Sequence, residues 1–347
     1  MTDAAELKSW LERILDRRDL NESESARLLV ALTDATLSPA LAGAFLAGLR
    51  SKGVNSAELR GFATAMRELA RQPAIADDLR HRAIDIVGTG GDASGSVNIS
   101  TGTSLLVAAC GLPVIKHGNR SISSRSGSAD VLEALGLPLP LDEKRAGESL
   151  ASLGFTFLFA PYYHPAMKAV APVRQALGIR TVFNVLGPLT NPAAPRFQLV
   201  GAYSLEMARL MAEALAGMPQ IERAFVVHGA AGWDEPTPIG PFELFDVHAG
   251  SVTQQTRSPL DYGMRCCEPT ELAGGDAAEN AAALRQVFSG LDRGAHRDAL
   301  LLGASLALEC SGLAPSPGEG LQLAQRALDE GRASALLDSL AEFGSRG

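Results

Sequence analysis

Two short segments of this 347-residue chain carry residues suited to holding phosphate. The first runs GTGGDASGSVNIST from Gly88 to Thr101, the second KHGNRSISSRSGSAD from Lys116 to Asp130. In the first, Gly88, Gly90 and Gly91 let the chain turn where side chains would obstruct a ligand, which leaves backbone N–H groups exposed. Asn98, Ser100 and Thr101 add amide and hydroxyl groups just before the helix-like run Leu105 to Ala109, so a bound anion would face a helix N-terminus. In the second, Lys116, His117, Asn119, Arg120 and Arg125 are interleaved with Gly118, Gly127 and the hydroxyls of Ser121, Ser123, Ser124, Ser126 and Ser128. A solvated basic turn accounts for the cations, but not for a run in which almost every residue is small or hydrogen-bonding. Neither segment is a Walker loop, which ends in Gly-Lys-Ser/Thr, or a Gly-x-Gly-x-x-Gly dinucleotide fingerprint.

The flanking residues say how the two segments are held. Ala83 to Val87 reads as a buried strand ahead of the first, and Leu112 to Ile115 as a strand ahead of the second, with Ala129 to Leu135 helical behind it. Both loops then lie at the same end of a parallel sheet, where ligands of open α/β folds collect. Further strands are expected at Phe155 to Phe159, Leu199 to Ala202, Ala224 to Val227 and Phe242 to Val247. The first 70 residues are helical throughout. Leu7, Trp10, Leu11, Ile14 and Leu15 recur at helical spacing, Asn21 with Glu24 and Asn55 with Glu58 form capping boxes, and Ser38-Pro39 opens a helix that Gly53 can end. Helices return at Ala277 to Phe288, Arg297 to Glu309 and Pro317 to Glu330. The fold class is therefore α/β, a small all-helical N-terminal domain beside a large α/β domain with a mainly parallel central sheet.

Asp234-Glu235 follows the strand Ala224 to Val227 through a glycine-containing loop, which puts its carboxylates at the phosphate end of the sheet. An isolated acidic pair is usually a solvated turn. Beside a diphosphate, however, two carboxylates repel the ligand unless a divalent cation intervenes, and magnesium accepts one or two carboxylates while bridging phosphate oxygens.

Composition agrees with a soluble metabolic enzyme. With 46% apolar residues the chain can bury a large core, and its net charge of -8 is unsuited to nonspecific nucleic-acid binding, so the basic cluster from Lys116 to Arg125 is a local focus for a small anion. The four cysteines show no CxxC or Cys/His metal spacing. No leader and no apolar segment of membrane-spanning length is evident, so no membrane is expected and a cytoplasmic location follows by elimination. Leu28, Leu29, Leu32, Leu41, Phe45, Leu46 and Leu49 recur at intervals that place apolar residues on more than one helix face, which predicts a homodimer through the N-terminal helices.

Five segments in one order make the chain resemble the anthranilate phosphoribosyltransferase family of tryptophan biosynthesis: Gly88 to Thr101, Lys116 to Gly136, Phe157 to Lys168, Val173 to Pro192 and Val226 to Glu235. The resemblance covers most of residues 80–240. It departs at Ala93, where the family usually has glycine, and in the setting Trp233 to Pro238 around the acidic pair. It implies transfer of the phosphoribosyl group of 5-phosphoribosyl 1-diphosphate to the amine of anthranilate, a pentosyl transfer that releases diphosphate. The helical domain would be residues 1–75, joined by about 166–190, and the α/β domain 76–165 and 191–347, with the active site in the cleft between them. Donor-binding residues would be Gly88, Thr89, Gly91, Asp92, Ser96, Asn98, Ile99, Ser100 and Thr101 on the first segment. On the second they would be Lys116, His117, Gly118, Asn119, Arg120, Ser121, Ser123, Ser124 and Ser128. The acceptor would meet Gly88, Asn119, His164, Arg174 and Gly187; Lys116, Asn119 and Arg174 would be the catalytic residues. Ser100, Asp234 and Glu235 would hold Mg2+, two ions per site with the donor bound. The family is typically dimeric through the helical region. Another aminobenzoate as acceptor, a pyrimidine nucleoside phosphorylase-like enzyme and a non-catalytic nucleic-acid-binding relative are the alternatives. The KHGNRS and NVLGPLTNP segments and the acidic charge disfavour the last two.

Overall fold

The computed structural model describes residues 3–92, 94–120 and 125–346. Four helices open the chain: α1 (Ala4–Leu15), α2 (Glu22–Leu32), α3 (Pro39–Lys52) and α4 (Ser56–Glu68). The capping boxes of Asn21 with Glu24 and Asn55 with Glu58 start α2 and α4, Pro39 occupies the first turn of α3, and Gly53 ends it at a φ of 85°. Glu58 caps its own helix and is wholly buried, yet its carboxylate is satisfied by the N–H groups of Leu20 and Asn55 and by Lys52 at 2.8 Å.

A seven-stranded sheet follows, in the order β3-β2-β1-β4-β5-β6-β7. Its strands are β1 (Ile84–Gly88), β2 (Val114–Gly118), β3 (Phe155–Phe159), β4 (Phe197–Gly201), β5 (Arg223–His228), β6 (Phe242–His248) and β7 (Ser251–Arg257). The first five are parallel, and β6 and β7 add antiparallel to β5. The sheet is thus mainly parallel, beside a small helical bundle, as the residue pattern implies. Two details differ. Lys116, His117 and Gly118 belong to β2 and not to the loop after it, because a strand flanked on both sides can bury polar side chains when each finds a partner inside. β7 carries no apolar periodicity, since most of its residues are exposed. It is held by the ladder to β6, by the turn Ala249-Gly250 with φ of 50° and 75°, and by Glu243 accepting from Gln254 and Thr256 across the pair.

One face of the sheet packs on the helices Ile99–Ala109 and Ala295–Cys310. The other packs on Leu205–Ala216, behind which lie the N-terminal helices. Val170, Val182, Phe183, Val185, Leu186 and Leu189 join the same hydrophobic cluster as α1 to α4. No helix among the described residues is long and apolar enough to cross a membrane.

The leucines expected to leave a second apolar face do not. Leu28, Leu29, Leu32, Phe45, Leu46 and Leu49 are at most 2% exposed within the single chain, and Leu41 is partly buried against them. The bundle hides them by enclosing α2 and α4 on one side and receiving 182–189 and Leu205–Ala216 on the other, so their abundance is no argument for a dimer.

Candidate active site

In this strand order the connections of β1 and β4 run to opposite sides, which opens a crevice at the ends of these neighbours. The glycine-rich loop leaves β1 there, and Thr89 N donates back to Gly201 O at the end of β4. The loop after β5 crosses the same two strand ends. A Cβ on Gly201 would stand 1.5 Å from the Asp234 carbonyl oxygen, and one on Gly88 2.4 Å from the Asp234 carboxylate, so only glycine lets the acidic pair reach the phosphate loop.

There the two carboxylates sit on backbone donors. Asp234 Oδ2 accepts from Gly90 N at 2.5 Å, and Glu235 Oε1 from Ser100 N at 3.1 Å, in the first turn of the helix Ile99–Ala109. Asp92 Oδ2 accepts from Asp234 N at 3.3 Å, which brings a third carboxylate close. Burial, and then the charge of Asp92, raises Asp234 to about 7; burial, and then the charge of Asp234, raises Glu235 to about 8. Among the described residues no group of three or more His, Cys, Asp or Glu is placed to hold a metal ion on its own. Any cation here must complete its shell with water and ligand oxygens, as Mg2+ does.

Lys116 lies beneath the loop, 1% exposed, its ammonium donating to Ile86 O at 2.5 Å and to Ser100 Oγ at 3.2 Å. Burial lowers its pKa, against the pull of Asp85, Glu235 and Asp234. Its charge therefore acts on the site from below, through Ser100. Asp85 on β1 is fully buried, accepting from His117 N and from Asn191 Nδ2 at 2.9 Å, and burial raises it to about 6.

His117 and His164 form a buried pair, Nε2 to Nε2 at 3.2 Å. His117 Nδ1 lies 3.1 Å from Gly187 O, which can only accept, so that nitrogen carries the proton and His117 Nε2 accepts from His164 Nε2. Burial, and for His117 also its partner, depresses His117 to about 3 and His164 to about 4. Both rings are neutral at pH 7 and act as a strut between β2 and Gly187. Because the folded pKa lies below the usual 6.5, this contribution to stability is complete above pH 6.5 and lost as pH falls toward 4, worth about 3 kcal/mol for His164 alone. Urea melts at pH 7 and pH 5 should show a smaller acid loss for His164→Gln than for the parent. Equal losses would remove the pair from the pH response.

On the second segment, Arg120 is spent on Asp130 and Glu133, at 2.6 Å to each, and Arg125 faces Glu279 at 3.4 Å, so the basic cluster is less positive than its composition implies. Asn119 is exposed at the end of β2, its Oδ1 turned to Arg120 N, and Ser128 opens the next helix with Oγ on Asn119 O. Ile99 and Thr101 are buried, so only their backbone can meet a ligand. Thr89 Oγ1 accepts from Tyr203 N beyond β4 and donates to Asp234 Oδ2, and Ser96 Oγ stays within the loop, bonded to Ser94 Oγ. Ala93, Ser121, Ser123 and Ser124 lie outside the described residues.

Arg174 lies in the last turn of the helix Met167–Leu177, half-buried, its guanidinium 5.3 Å from the centre of the Phe183 ring. No ion pair involves it among the described residues, and burial lowers its pKa. The space where a Cβ of Gly187 would project is open.

Two family models match the chain: "Glycosyl transferase family, helical bundle domain" over residues 8–70 and "Glycosyl transferase family, a/b domain" over residues 80–334. The anthranilate phosphoribosyltransferase of Rubrobacter xylanophilus is 43% identical over 340 residues, 98% of each chain, and that of Desulforudis audaxviator 43% identical over 98% of this chain and 97% of its own. The chain belongs to the anthranilate phosphoribosyltransferase family. Among solved structures, the Thermus thermophilus member superposes with a TM-score of 0.89 at 41% identity, covering 96% of this chain and 99% of its own. The Saccharomyces cerevisiae member, in complex with PRPP and Mg, also reaches 0.89, at 27% identity and 99% coverage of both chains.

Three residues of this anthranilate phosphoribosyltransferase-family chain escape a reading by motif. Arg180 donates to Gly91 O at 2.7 Å and lies over Tyr203, fastening the 166–190 segment to the phosphate loop. Asn280, on the helix Ala277–Phe288, donates to Asn98 Oδ1 and Ser126 Oγ and joins the two loops. Asp85 sits within an apolar run. Their partners lie 89, 182 and 32 positions away in the chain, so no local spacing announces them.

Proposed function

We infer that the protein transfers the phosphoribosyl group of 5-phosphoribosyl 1-diphosphate to the amine of anthranilate, giving N-(5-phosphoribosyl)anthranilate and diphosphate, in tryptophan biosynthesis. The observation that carries this is the meeting of the loop after β1 with Asp234 and Glu235 at the reversal of the strand order, in a chain 43% identical to anthranilate phosphoribosyltransferases along nearly its whole length. The N–H groups of the loop and of the helix at Ser100 receive phosphate oxygens, and Lys116 supplies positive charge from beneath.

The donor set fits Mg2+: two buried carboxylates, raised by burial and by neighbouring acidic charge, beside Ser100. Asp234, Glu235 and Ser100 hold it in our reading, two ions once the donor is present. When bound, the ions neutralise charge on the leaving diphosphate. The aromatic amine is already a nucleophile at pH 7, and its proton becomes acidic once the nitrogen bonds C1, so the chain need supply position more than a strong base. Arg174 orients the acceptor by its carboxylate, Asn119 faces the amine, and His164 with His117 fixes Gly187 at the edge of the acceptor space. Gly88, Thr89, Gly91, Asp92, Ser96, Asn98 and Gly118 shape the donor's bed.

Residues 1–75 with 166–190 move in this reading as one body against 76–165 and 191–347, and Arg180 spans the two. A homodimer is placed on a groove between the start of α3 and the helix Met167–Leu177, lined by Leu37, Ala40, Ala169, Pro172 and Ala176. Only Val170 of that helix is buried. Sedimentation should give twice the single-chain mass for the parent and the single-chain mass for Ala40→Glu; a monomeric parent excludes the dimer. The four free thiols suit the reducing cytoplasm, where we place the protein.

The direct test is purified protein with donor, Mg2+ and a panel of aminobenzoates. Anthranilate should be consumed with equimolar release of diphosphate. Turnover of a different aminobenzoate with none of anthranilate would overturn the assignment of the acceptor.

A further inference from the structure

The acidic pair does more here than wait for a cation. Gly90 N and Ser100 N are the donors that a phosphate-binding loop and the helix behind it offer to an anion, and the carboxylates of Asp234 and Glu235 already sit on them, at 2.5 and 3.1 Å. This arrangement is built in. Asp234 N is tied to Asp92 Oδ2, Gly229 N to Trp233 O, and the chain passes so close to Gly88, Gly201 and Gly229 that a Cβ on any of them would collide with it. Asp234 is 6% exposed, so its carboxylate does not trade this contact for water.

We propose that in the metal-free enzyme Asp234 and Glu235 stand in for the donor's phosphates, so that the crevice rejects uncomplexed phosphate anions and admits only their divalent-cation complexes. The inference rests on the donor-site reading above. A free diphosphate meets two carboxylates on the N–H groups it needs, with the buried Lys116 and the Arg180 guanidinium, already bonded to Gly91 O, to offset them. Asp234 and Glu235 would turn to a cation bound with the ligand, which would leave Gly90 N and Ser100 N to the phosphate oxygens. The pair thereby becomes a specificity determinant for the form of the donor, distinct from its service as metal ligands. Ligands alone would predict no gain for free anion when they are removed; a stand-in predicts a gain.

The experiment is calorimetric titration with diphosphate at about pH 9, where both carboxyl groups are ionised, in excess chelator and in Mg2+, of the parent and of the Asp234→Asn and Glu235→Gln variants. In chelator the neutral variants should bind diphosphate at least about tenfold more tightly than the parent, and they should lose most of the tightening that Mg2+ gives the parent. Variants that bind free diphosphate no better than the parent overturn the proposal while leaving the donor site standing, provided that the parent binds the Mg2+ complex. A parent that binds diphosphate under neither condition overturns both. A second measurement needs no variant. The amide resonances of Gly90 and Ser100 in the parent should shift with Mg2+-diphosphate and stay in place with diphosphate in chelator, and a shift with the free anion refutes the stand-in.

Discussion

Replacing Asp234 by Asn and Glu235 by Gln together should lower turnover roughly a thousandfold, with the remaining activity needing far more Mg2+. The size follows from the work the pair does at the reacting bond. The breaking bond leaves its electrons on a diphosphate that already carries several negative charges, while Lys116 is held beneath the loop by Ile86 O and Ser100 Oγ and Arg180 is bonded to Gly91 O. In the proposed reaction most of the neutralisation would then come from cations held by these carboxylates. The same substitutions remove two charges that burial opposes, so the metal-free variant should fold at least as stably as the parent near pH 8. There the contribution of a group whose folded pKa is raised to about 7 or about 8 has been lost in the parent. Loss of turnover with retained or raised melting temperature separates this cause from misfolding. Full parental turnover in excess chelator would contradict the metal reading.

How far the sequence leads can be judged from the residues themselves. Strands with a continuous apolar run, such as Phe155 to Phe159, and helices with an Asn or Asp cap, such as Ala277–Phe288 behind Asp276, are placed by local pattern because local pattern is what holds them. β7 and the helix Arg332–Ser345 are not, since the first is an edge strand without an apolar face and the second follows a bare Gly331 with no side-chain cap. The site shows the same division. Gly88 to Thr101 and Asp234-Glu235 are legible because phosphate loops and acidic pairs have characteristic compositions. That Lys116 points inward, that Arg120 is taken by Asp130 and Glu133, and that Asn280 joins the loops depend on which strands and helices become neighbours. Composition counts the charges of the second segment; only the fold shows which ones still face the ligand.

Arg174 has no ion-pair partner among the described residues, and removing it should cost the acceptor most. Arg174→Ala should lower kcat/KM for anthranilate by roughly 2 to 5 kcal/mol, about thirtyfold to several thousandfold, with the Michaelis constant of the donor nearly unchanged. The expectation rests on three facts together: the side chain is half-buried, it has no ion pair among the described residues, and it lies on the 166–190 segment that Arg180 ties to the phosphate loop. A half-buried guanidinium over the Phe183 ring, with no hydrogen-bond partner among the described residues, suits a planar anion, and the acceptor's carboxylate is one. Arg174→Lys should recover only part of the loss, because a point charge cannot reproduce two parallel hydrogen bonds. An aromatic amine without the carboxylate gives the decisive comparison. If Arg174 acts through that carboxylate, parent and Arg174→Ala should turn over such an amine at the same low rate. If it instead stabilises the helix Met167–Leu177 or the closed cleft, the variant will lose as much with the truncated acceptor as with anthranilate, and the assignment fails.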